Sequence, residues 1–511
     1  MTFATTQNPF TKRDSLLLTI AALVLALALA VWQALSPKLA TMAFLALILL
    51  ILAMMKMELA VVLYTLSAFL VIGPIFAVTG RFGHSEGLYT SELMLGLLAL
   101  VWGARLVSRA VHRKRIPLDT NPIDLPLVGL IGTALFAFVA AQFTWDYRVG
   151  TEHRYLIRQV TEIGLLCMPV AVYLLVSDTV RDLRWIKAVY WSVLAVGVVS
   201  FFVICPWIEL PAFVKTFWTG LLPVPLVSFL YAHIVLQQEF NVTSMAAVVA
   251  LAGLLIVQFM FMSWVVMWFS TSISLCVISW YRSKKLFTAI VCASLLIVAF
   301  RPDMWLNIYE TESTSRSLER FDLWRSVLDL ASKRPFWGIG PGNFYPYYSH
   351  EYAAVYGTIN VPSPHSNYVQ IIIEYGFIGG AFFIWFIVVC LLRLRNSFLQ
   401  TKDEWEKVFF LGMTGYFAGM AAAAFLADYL ISASSNNGLV SFSTTVYTWI
   451  LLGLAMSVRR NMLERQSSEP SSDAPKKLVL SEAGSPAHFQ PNRGHSPTKV
   501  PLAQNRSERD A

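Results

Sequence analysis

Residues 361–392 read VPSPHSNYVQIIIEYGFIGGAFFIWFIVVCLL and join a polar opening to a long apolar run. An α-helix that crosses the hydrocarbon core of a bilayer needs about 20 apolar residues, and the part from 367 to 392 supplies them. Similar apolar runs recur along most of the chain. The pattern predicts an all-α, polytopic integral membrane protein embedded in a lipid bilayer.

The composition agrees with this class. Charged residues make up 14% of the 511 residues and hydrophobic residues 56%, with a mean hydropathy of +0.59, whereas soluble proteins average about 25% charged residues. The net charge of +8 is explained by Lys and Arg in cytoplasmic loops, so no nucleic-acid partner is expected. The five cysteines lack the spacing of a metal cluster or a disulfide pair, so they are interpreted as packing residues.

About 12–14 transmembrane helices are predicted, the first of them retained rather than cleaved as a signal peptide. Lys and Arg are concentrated in alternate loops, which predicts that both termini lie in the cytoplasm. The fourteen predicted helices lie near residues 15–35, 39–55, 57–78, 91–108, 125–143, 160–176, 187–204, 220–236, 244–262, 264–281, 286–300, 367–392, 407–427 and 440–457.

Four regions follow from this layout. Residues 1–300 form the N-terminal transmembrane helices and residues 367–458 the C-terminal ones. Between them, residues 301–366 form an outer loop far longer than the few residues that usually join helices. Residues 459–511 are rich in Ser, Pro, Asn and charge, which predicts a disordered cytoplasmic tail.

Two predicted outer segments carry arginines although outer cations do not help membrane insertion. One is TWDYRVGTEHRYLIRQ, residues 144–159, with Arg148, Arg154 and Arg158, and the other is the long loop, which includes Arg320 and Arg325. Guanidinium groups at an interface bind lipid headgroups or form a phosphate site. We therefore expect the functional site at the outer face.

Within the long loop, residues 316–333 predict an amphipathic helix on the bilayer surface, with Arg334-Pro335 at its end. Glycines 338, 340 and 342 then permit tight turns or the close approach of a ligand. Aromatic residues 344–348 suit sugar stacking or a membrane interface. The apolar face of the predicted helix consists of Phe321, Trp324, Leu328 and Ala331.

The opening of residues 361–392 has the features of a helix start. Ser363 is a suitable N-cap and Pro364 a suitable first residue, which would place His365 in the first turn. Helix N-termini favour anions such as phosphate. A polar face then leads from the mouth into the bundle, formed by Asn367, Gln370 and Glu374.

Two segments together resemble the signature of the O-antigen ligase and polymerase superfamily. They are RFDLWRSVLDLASKRPFWGIGPGNF, residues 320–344, and PHSNYVQIIIEYGFIGG, residues 364–380. The pattern in the family runs Arg, Trp, Pro, Gly-x-Gly, His-Asn/Ser and Glu-x-Gly-x-x-Gly. One departure is FMSWVVMW, where Trp264 stands in place of the Arg that many members carry in a short outer turn.

The resemblance implies a glycosyltransferase of the bacterial inner membrane that takes a glycan from undecaprenyl pyrophosphate at the periplasmic face. The long loop of residues 301–366 would then be a periplasmic loop. Its acceptor would be a hydroxyl on lipid A core or on a growing glycan, and neither a metal nor another cofactor is implied. The ligase-like core would span residues 301–458 and include 367–380. His365 would activate or position the acceptor hydroxyl, and Arg320 would bind the pyrophosphate.

The resemblance also implies that some residues contact the substrate and that others stabilise the structure of the site. Substrate contacts are expected at Arg148, Arg154, Arg158, Arg325, Asn367 and Gln370, and structural roles at Glu374, Gly338 and Gly340.

A flippase for lipid-linked oligosaccharide could share the helix count and the outer charges, although it would favour internal repeats and polar residues at mid-membrane depth. The segment HSNYV, residues 365–369, and the glycines after it fit a membrane-bound acyltransferase less well. Ligase, polymerase and protein-glycosylating activities share the donor and stay open at the sequence level.

Overall fold

The computed structural model describes residues 37–69, 78–79, 85–86, 89–113, 121–149, 155–204, 221–237, 241–261, 265–300, 319–353, 363–433 and 442–468. The helices are α1 (Pro37–Met55), α2 (Met57–Ser67), α3 (Thr90–Arg113), α4 (Asp124–Phe143), α5 (Tyr155–Thr179), α6 (Leu183–Ile204), α7 (Pro223–Leu236), α8 (Val242–Phe261), α9 (Val265–Arg282), α10 (Lys284–Phe300), α11 (Glu319–Lys333), α12 (Phe344–Tyr348), α13 (Asn367–Gln400), α14 (Glu404–Leu426) and α15 (Phe442–Ser468). A two-residue antiparallel pair joins β1 (Val78–Thr79) to β2 (Ser85–Glu86), and a π-helical turn (Ser349–Ala353) follows α12.

The protein is an all-α polytopic membrane protein, as predicted. A helix occupies each predicted position from residue 37 onward, and six of the described helices are long and apolar enough to span a bilayer. The helix predicted over 57–78 ends earlier, at Ser67. The predicted helix near 15–35 lies outside the described residues.

The C-terminal boundary also differs from the prediction. Helix α15 continues to Ser468, so residues 459–468 of the predicted tail are helical. Arg465 pairs with Glu406 of α14 and fixes this extension to the bundle. Residues 469–511 lie outside the described part of the chain.

Helix α15 is the centre of the bundle. Every residue from Phe442 to Val458 is buried, as expected for a helix surrounded by other helices rather than placed at a surface. The Trp449 ring stacks on Phe386 of α13 with 5.3 Å between centroids. The Tyr447 hydroxyl donates to the Thr65 carbonyl of α2 at 2.8 Å. The membrane core is thus assembled around the last described helix.

Helices α9 and α14 pack at close range because α14 presents glycines to its neighbour. A Cβ added at Gly419 would lie 2.4 Å from the Ser270 carbonyl oxygen, and one at Gly415 would lie 2.9 Å from the Ser274 carbonyl oxygen. Small residues at such spacing let helix backbones approach within a membrane, where dispersion contacts replace the hydrophobic effect as the source of attraction.

The cations assigned to cytoplasmic loops gather at one end of the bundle. Asp178, near the C-terminus of α5, accepts from Arg109 at 2.5 Å and from Arg181 at 3.0 Å. Lys187 lies over the Trp405 ring, 5.2 Å from its centroid. The opposite end, which carries α11, α12 and the start of α13, is called the loop end below.

A second, smaller core lies at the loop end. Helix α11 contributes its apolar face to this core and packs on α13, with Val327 and Ala331 almost fully buried. The predicted helix and its end before Arg334-Pro335 are confirmed. Its predicted apolar face is partly wrong, because Leu328 is 44% exposed while Leu323 is buried. The helix packs on protein at this face because α13 lies directly beneath it.

Candidate active site

The N-cap of α13 differs from the prediction by one turn. Ser366 is the N-cap, and its hydroxyl accepts from the Val369 amide at 3.4 Å. The predicted cap at Ser363 and first residue at Pro364 are wrong, because the Ser363 hydroxyl accepts from the His365 amide at 3.0 Å and closes a local turn instead. Such turns compete with helix formation. His365 therefore precedes the helix and does not lie in its first turn.

His365 has a left-handed backbone, with φ of 50°. Residues other than glycine seldom adopt this conformation, although His is enriched among those that do. The conformation costs about 1–3 kcal/mol and persists where surrounding contacts impose it, often at functional sites. The side chain is half-buried.

Contacts from two other elements hold this turn. The Trp324 indole of α11 donates to the Pro364 carbonyl at 2.9 Å. The Ser363 hydroxyl donates to the buried Asp428 carboxylate at 2.8 Å, in the segment after α14. The residues on both sides of His365 are thereby attached to parts of the chain far away in sequence. These contacts explain how the strained backbone is maintained.

Asn367 joins the same segment from the helix side. Its side-chain amide donates to the Ile431 carbonyl at 2.6 Å, and its side-chain oxygen accepts from the Leu430 and Ile431 amides at 3.0 and 3.2 Å. The side chain is 2% exposed. This geometry favours a positioning role for Asn367 over the predicted contact with substrate.

The indole of Trp324 provides a test of this arrangement. Trp324→Phe should remove the donor to the Pro364 carbonyl, which costs about 1–3 kcal/mol when a buried acceptor is left unsatisfied. We expect the maximal rate of the glycan transfer that the sequence resemblance implies to fall about tenfold, equivalent to about 1.4 kcal/mol, with little change in KM. The matched control is Trp191→Phe, since Trp191 is 60% exposed on α6. Equal rates for the two variants would contradict this role.

The other predicted polar residues of α13 face α5 within the bundle. The Gln370 amide donates to the Glu162 carboxylate at 2.9 Å, and both side chains are buried. Glu374 is 1% exposed, and its carboxyl group lies near Glu162, Gln370 and the backbone amides of Gly342 and Phe344. Glu162 was not predicted, although a carboxylate within an apolar run is itself a functional indication.

Helix α13 is broken beside this carboxyl pair. Gly376 has φ of 74°. The Phe377 amide donates to the Pro335 carbonyl at 2.8 Å, and the Ile373 carbonyl accepts from the Ile339 amide at 2.9 Å. In an unbroken helix, that amide and that carbonyl would pair with each other. The glycine loop (residues 335–342) therefore replaces hydrogen bonds of α13.

Glycines make this exchange possible. Gly338 and Gly340 have φ of 67° and 91°. A Cβ at Gly338 would lie 2.3 Å from the Ile373 carbonyl oxygen, and one at Gly340 would lie 2.5 Å from the Ala141 Cβ. The tight-turn interpretation is confirmed, and the close approach is to the backbone of α13 and to α4.

The arginines of residues 144–159 lie at the loop end. Arg148 forms a bidentate pair with Asp146, with Nε–Oδ1 and Nη2–Oδ2 distances of 3.0 and 2.6 Å. Hydrogen bonds from Arg148 lower the pKa of Asp146, and the same contact raises the pKa of Arg148. The Arg158 guanidinium lies 5.9 Å from the centroid of the Tyr345 ring. Arg154 lies outside the described residues.

The predicted arginines of α11 occupy its first two turns. Arg325 is exposed. The side chain of the predicted Arg320, in the first turn of α11, lies outside what the structure describes. The described residues contain no group of three or more metal-ligating side chains.

The family comparison agrees with the motif found in the sequence. A family model described as O-antigen ligase matches residues 243–384. This match supports the resemblance of the segment to the O-antigen ligase and polymerase superfamily. No curated protein matches the chain in a search of whole sequences.

The geometry explains why the O-antigen ligase motif has two halves. The Gly-x-Gly half, at Gly338 and Gly340, provides amides to carbonyls that the Glu-x-Gly half frees at Gly376. Each half gives the other hydrogen-bond partners, so the two backbones stabilise each other. The matched O-antigen ligase segment contains positions 320 and 365 but not Arg148 or Arg158.

Sequence reasoning missed three residues near this O-antigen ligase motif. Trp324 was counted as an apolar residue, and Asp428 lies too far along the chain to be paired with Ser363 by spacing. Arg334 is one of the cations of the long loop and marks a helix end, but no role in the site was predicted for it; its guanidinium lies 4.9 Å from the centroid of the Tyr347 ring. The unusual abundance of arginine in a predicted outer loop was the available indication for Arg334.

Proposed function

We propose that this O-antigen ligase-type membrane enzyme transfers a glycan from undecaprenyl pyrophosphate to an acceptor hydroxyl at the periplasmic face of the bacterial inner membrane. The observation that carries the proposal is the strained turn at His365, held by contacts from α11 and from the segment after α14. Strain of this kind is typical of functional sites.

The chemistry requires one base and at least one cation. The acceptor oxygen attacks the anomeric carbon, the bond from that carbon to the pyrophosphate oxygen breaks, and the hydroxyl proton passes to a base. Imidazole is the commonest such base, and His365 is assigned to this step. Arginine pairs with phosphate oxygens and stabilises the charge that develops on the leaving group, a role assigned to Arg320.

The remaining predicted residues take supporting roles in this proposal. Arg148, Arg158 and Arg325 provide positive charge at the loop end, where an anionic donor would approach. Asn367 and Gln370 position the start of α13 and its contact with α5. The transfer site is assigned to the core of residues 301–458, with the helices before residue 300 as its support.

A transporter of lipid-linked glycan is the second candidate. The observation that favours it is the broken α13 beside buried Glu162 and Glu374, since broken helices and intramembrane carboxylates occur in transporters. However, the carbonyls freed at the break already accept from Ile339 and Gly340. Because these carbonyls are already hydrogen-bonded, the break in α13 favours a rigid contact with the glycine loop over an ion-binding site.

Glycan profiling of the source organism separates these functions. The gene is deleted and then complemented with wild type, His365→Ala or Arg320→Ala, the last two at matched membrane levels. Lipid-linked polymer that never reaches its acceptor would indicate a ligase, and single repeats in place of long chains a polymerase. Lipid-linked repeats trapped on the cytoplasmic side would identify a transporter and overturn the proposal.

We expect Arg320→Ala to abolish detectable transfer in this assay, because a bidentate contact to a leaving phosphate is lost and removal of one preorganised donor costs about 10²- to 10³-fold. The measurement is the amount of transferred glycan per unit of membrane-embedded enzyme. Wild-type amounts would remove Arg320 from the proposed site.

A further inference from the structure

At the end of the bundle opposite the loop end, Arg459 lies on the side of α15 that faces away from α5. Two neighbours of Arg459 contact α5 and the turn after it. The Ser457 hydroxyl donates to the Ser177 carbonyl at 3.2 Å, and the Asn461 side-chain amide donates to the Arg181 carbonyl at 2.7 Å. Each neighbour is two positions from residue 459, a rotation of about 200° around the helix. The width of α15 therefore separates Arg459 from the carboxylate that pairs with the arginines of α3 and α5.

The end of α13 is attached to the end of α15 through α14. The Thr401 hydroxyl, at the C-cap of α13, donates to the Glu406 carboxylate at 2.6 Å, and Arg465 of α15 pairs with the same carboxylate. About two turns before Thr401 is Arg393, which is half-buried, as is Arg459. Burial and the nearby charge of Arg393 lower the pKa of Arg459. Two positive charges thus lie close together where α13 and α15 end.

These two arginines differ from other cations at this end in having no carboxylate partner. Arg184 pairs with Asp182 at 2.8 Å, whereas neither Arg393 nor Arg459 forms an ion pair within the described part of the chain. The Nε atom of Arg459 is buried and has no hydrogen-bond partner there. A buried guanidinium nitrogen is costly unless an acceptor pairs with it.

A hydroxyl group adds a third polar contact on α13. Ser397 is one turn after Arg393, so the two lie on the same face of the helix. The Oγ atom of Ser397 is buried and has no hydrogen-bond partner among the described residues. Guanidinium groups can only donate, and a hydroxyl can donate as well. Two guanidinium groups and a hydroxyl are complementary to the oxygens of a phosphate.

The surface of α13 beside these donors is apolar. Val388 and Leu392 are 46% and 48% exposed, and Leu392 directly precedes Arg393. In a bilayer such a face contacts acyl chains. Basic pockets between membrane helices bind the headgroups of anionic lipids. The donors and the apolar face together fit a lipid whose phosphate lies at the helix ends.

We propose that Arg393, Ser397 and Arg459 bind the phosphate of an anionic phospholipid, with an acyl chain along Val388 and Leu392. A zwitterionic headgroup is disfavoured, because it brings a positive group to two guanidinium groups that lack carboxylates. The lipid neutralises these charges and stabilises the contact between α13 and α15. This site lies at the opposite end of the bundle from the proposed transfer site and does not depend on the reaction catalysed there.

The test uses the full chain in nanodiscs of phosphatidylcholine that contain a trace of phosphatidylglycerol with a diazirine at the start of an acyl chain. Photolabelling should map to the ends of α13 and α15, and unlabelled phosphatidylglycerol should compete. Arg459→Gln and Arg393→Gln should each lower labelling about tenfold, the equivalent of one charge-assisted hydrogen bond. Arg184→Gln should be labelled like wild type, because Arg184 is exposed and already pairs with Asp182. Equal labelling of the three variants would overturn the proposal.

Inorganic phosphate distinguishes a lipid from a soluble anion of the same chemistry. At constant ionic strength, millimolar phosphate should leave the labelling unchanged, because the acyl chain contributes to the binding of the lipid. Loss of labelling under this condition would assign the donors to a soluble phosphate and overturn the assignment to a phospholipid.

Melting temperatures in detergent provide a second measurement. Without anionic lipid, Arg459→Gln should be at least as stable as wild type, because the substitution removes a partly buried charge that has no carboxylate partner. Added phosphatidylglycerol should raise the melting temperatures of wild type and Arg184→Gln more than that of Arg459→Gln, because a ligand stabilises the protein that binds it. Equal increases for all three proteins would contradict the site.

Discussion

Asparagine in place of His365 is expected to lower the rate of glycan transfer by about 10²- to 10⁴-fold, the usual contribution of a general base. Asparagine, like histidine, is among the residues other than glycine that most often adopt a left-handed backbone, so the turn with φ of 50° should persist. The variant therefore removes the imidazole and keeps the backbone. Transfer by purified enzyme in proteoliposomes, with a lipid-linked glycan as donor, measures the effect.

The control for this variant is His112→Asn. His112 is exposed near the end of α3, and its ring bonds only to its own helix, at the Ser108 carbonyl. We expect wild-type transfer from it. A His365→Asn enzyme that turns over at the wild-type rate would remove His365 from the reaction.

Alanine in place of Gly376 is expected to destabilise the membrane-embedded protein by at least about 3 kcal/mol. The φ of 74° alone costs about 1–3 kcal/mol for a residue with a Cβ. In addition, that Cβ would lie 2.3 Å from the Phe336 carbonyl oxygen, so the loop must separate from α13. Thermal unfolding in detergent measures the loss, and transfer should fall with it.

The matched control is Gly132→Ala on α4. A Cβ at Gly132 would have no atom within 4 Å, and alanine favours helix over glycine by up to about 1 kcal/mol. We expect unchanged or slightly raised stability. Equal melting temperatures for the two variants would show that the break in α13 does not depend on glycine.

Most helices could be predicted from the sequence because each long apolar run indicates a membrane-spanning helix without reference to the rest of the chain. The run after residue 367 is an example, and its predicted start agrees with α13. Its cap could not be predicted correctly, because Ser363 and Ser366 are both suitable caps and the choice depends on Asp428, which lies 65 residues further along the chain.

The candidate site was predicted only in part, because sequence motifs identify some of its residues and tertiary contacts identify the others. His365 and Arg320 belong to short motifs that a sequence displays directly. The contacts of Trp324 and Asn367 with the His365 turn are set by tertiary packing and leave no periodic pattern. The Nη1 atom of Arg334 is buried without a hydrogen-bond partner among the described residues, which is likewise visible only when its neighbours and their partners are known.

The burial of α15 has a consequence for synthesis in the cell. Membrane helices are made from the N-terminus onward, yet the helix at the centre of this bundle is the last of those described. Until Phe442–Val458 has entered the membrane, Phe386 of α13 lacks the Trp449 ring that stacks on it, and the Thr65 carbonyl of α2 lacks its donor, the Tyr447 hydroxyl. Packing of the earlier helices around this centre is therefore expected to wait for the synthesis of α15.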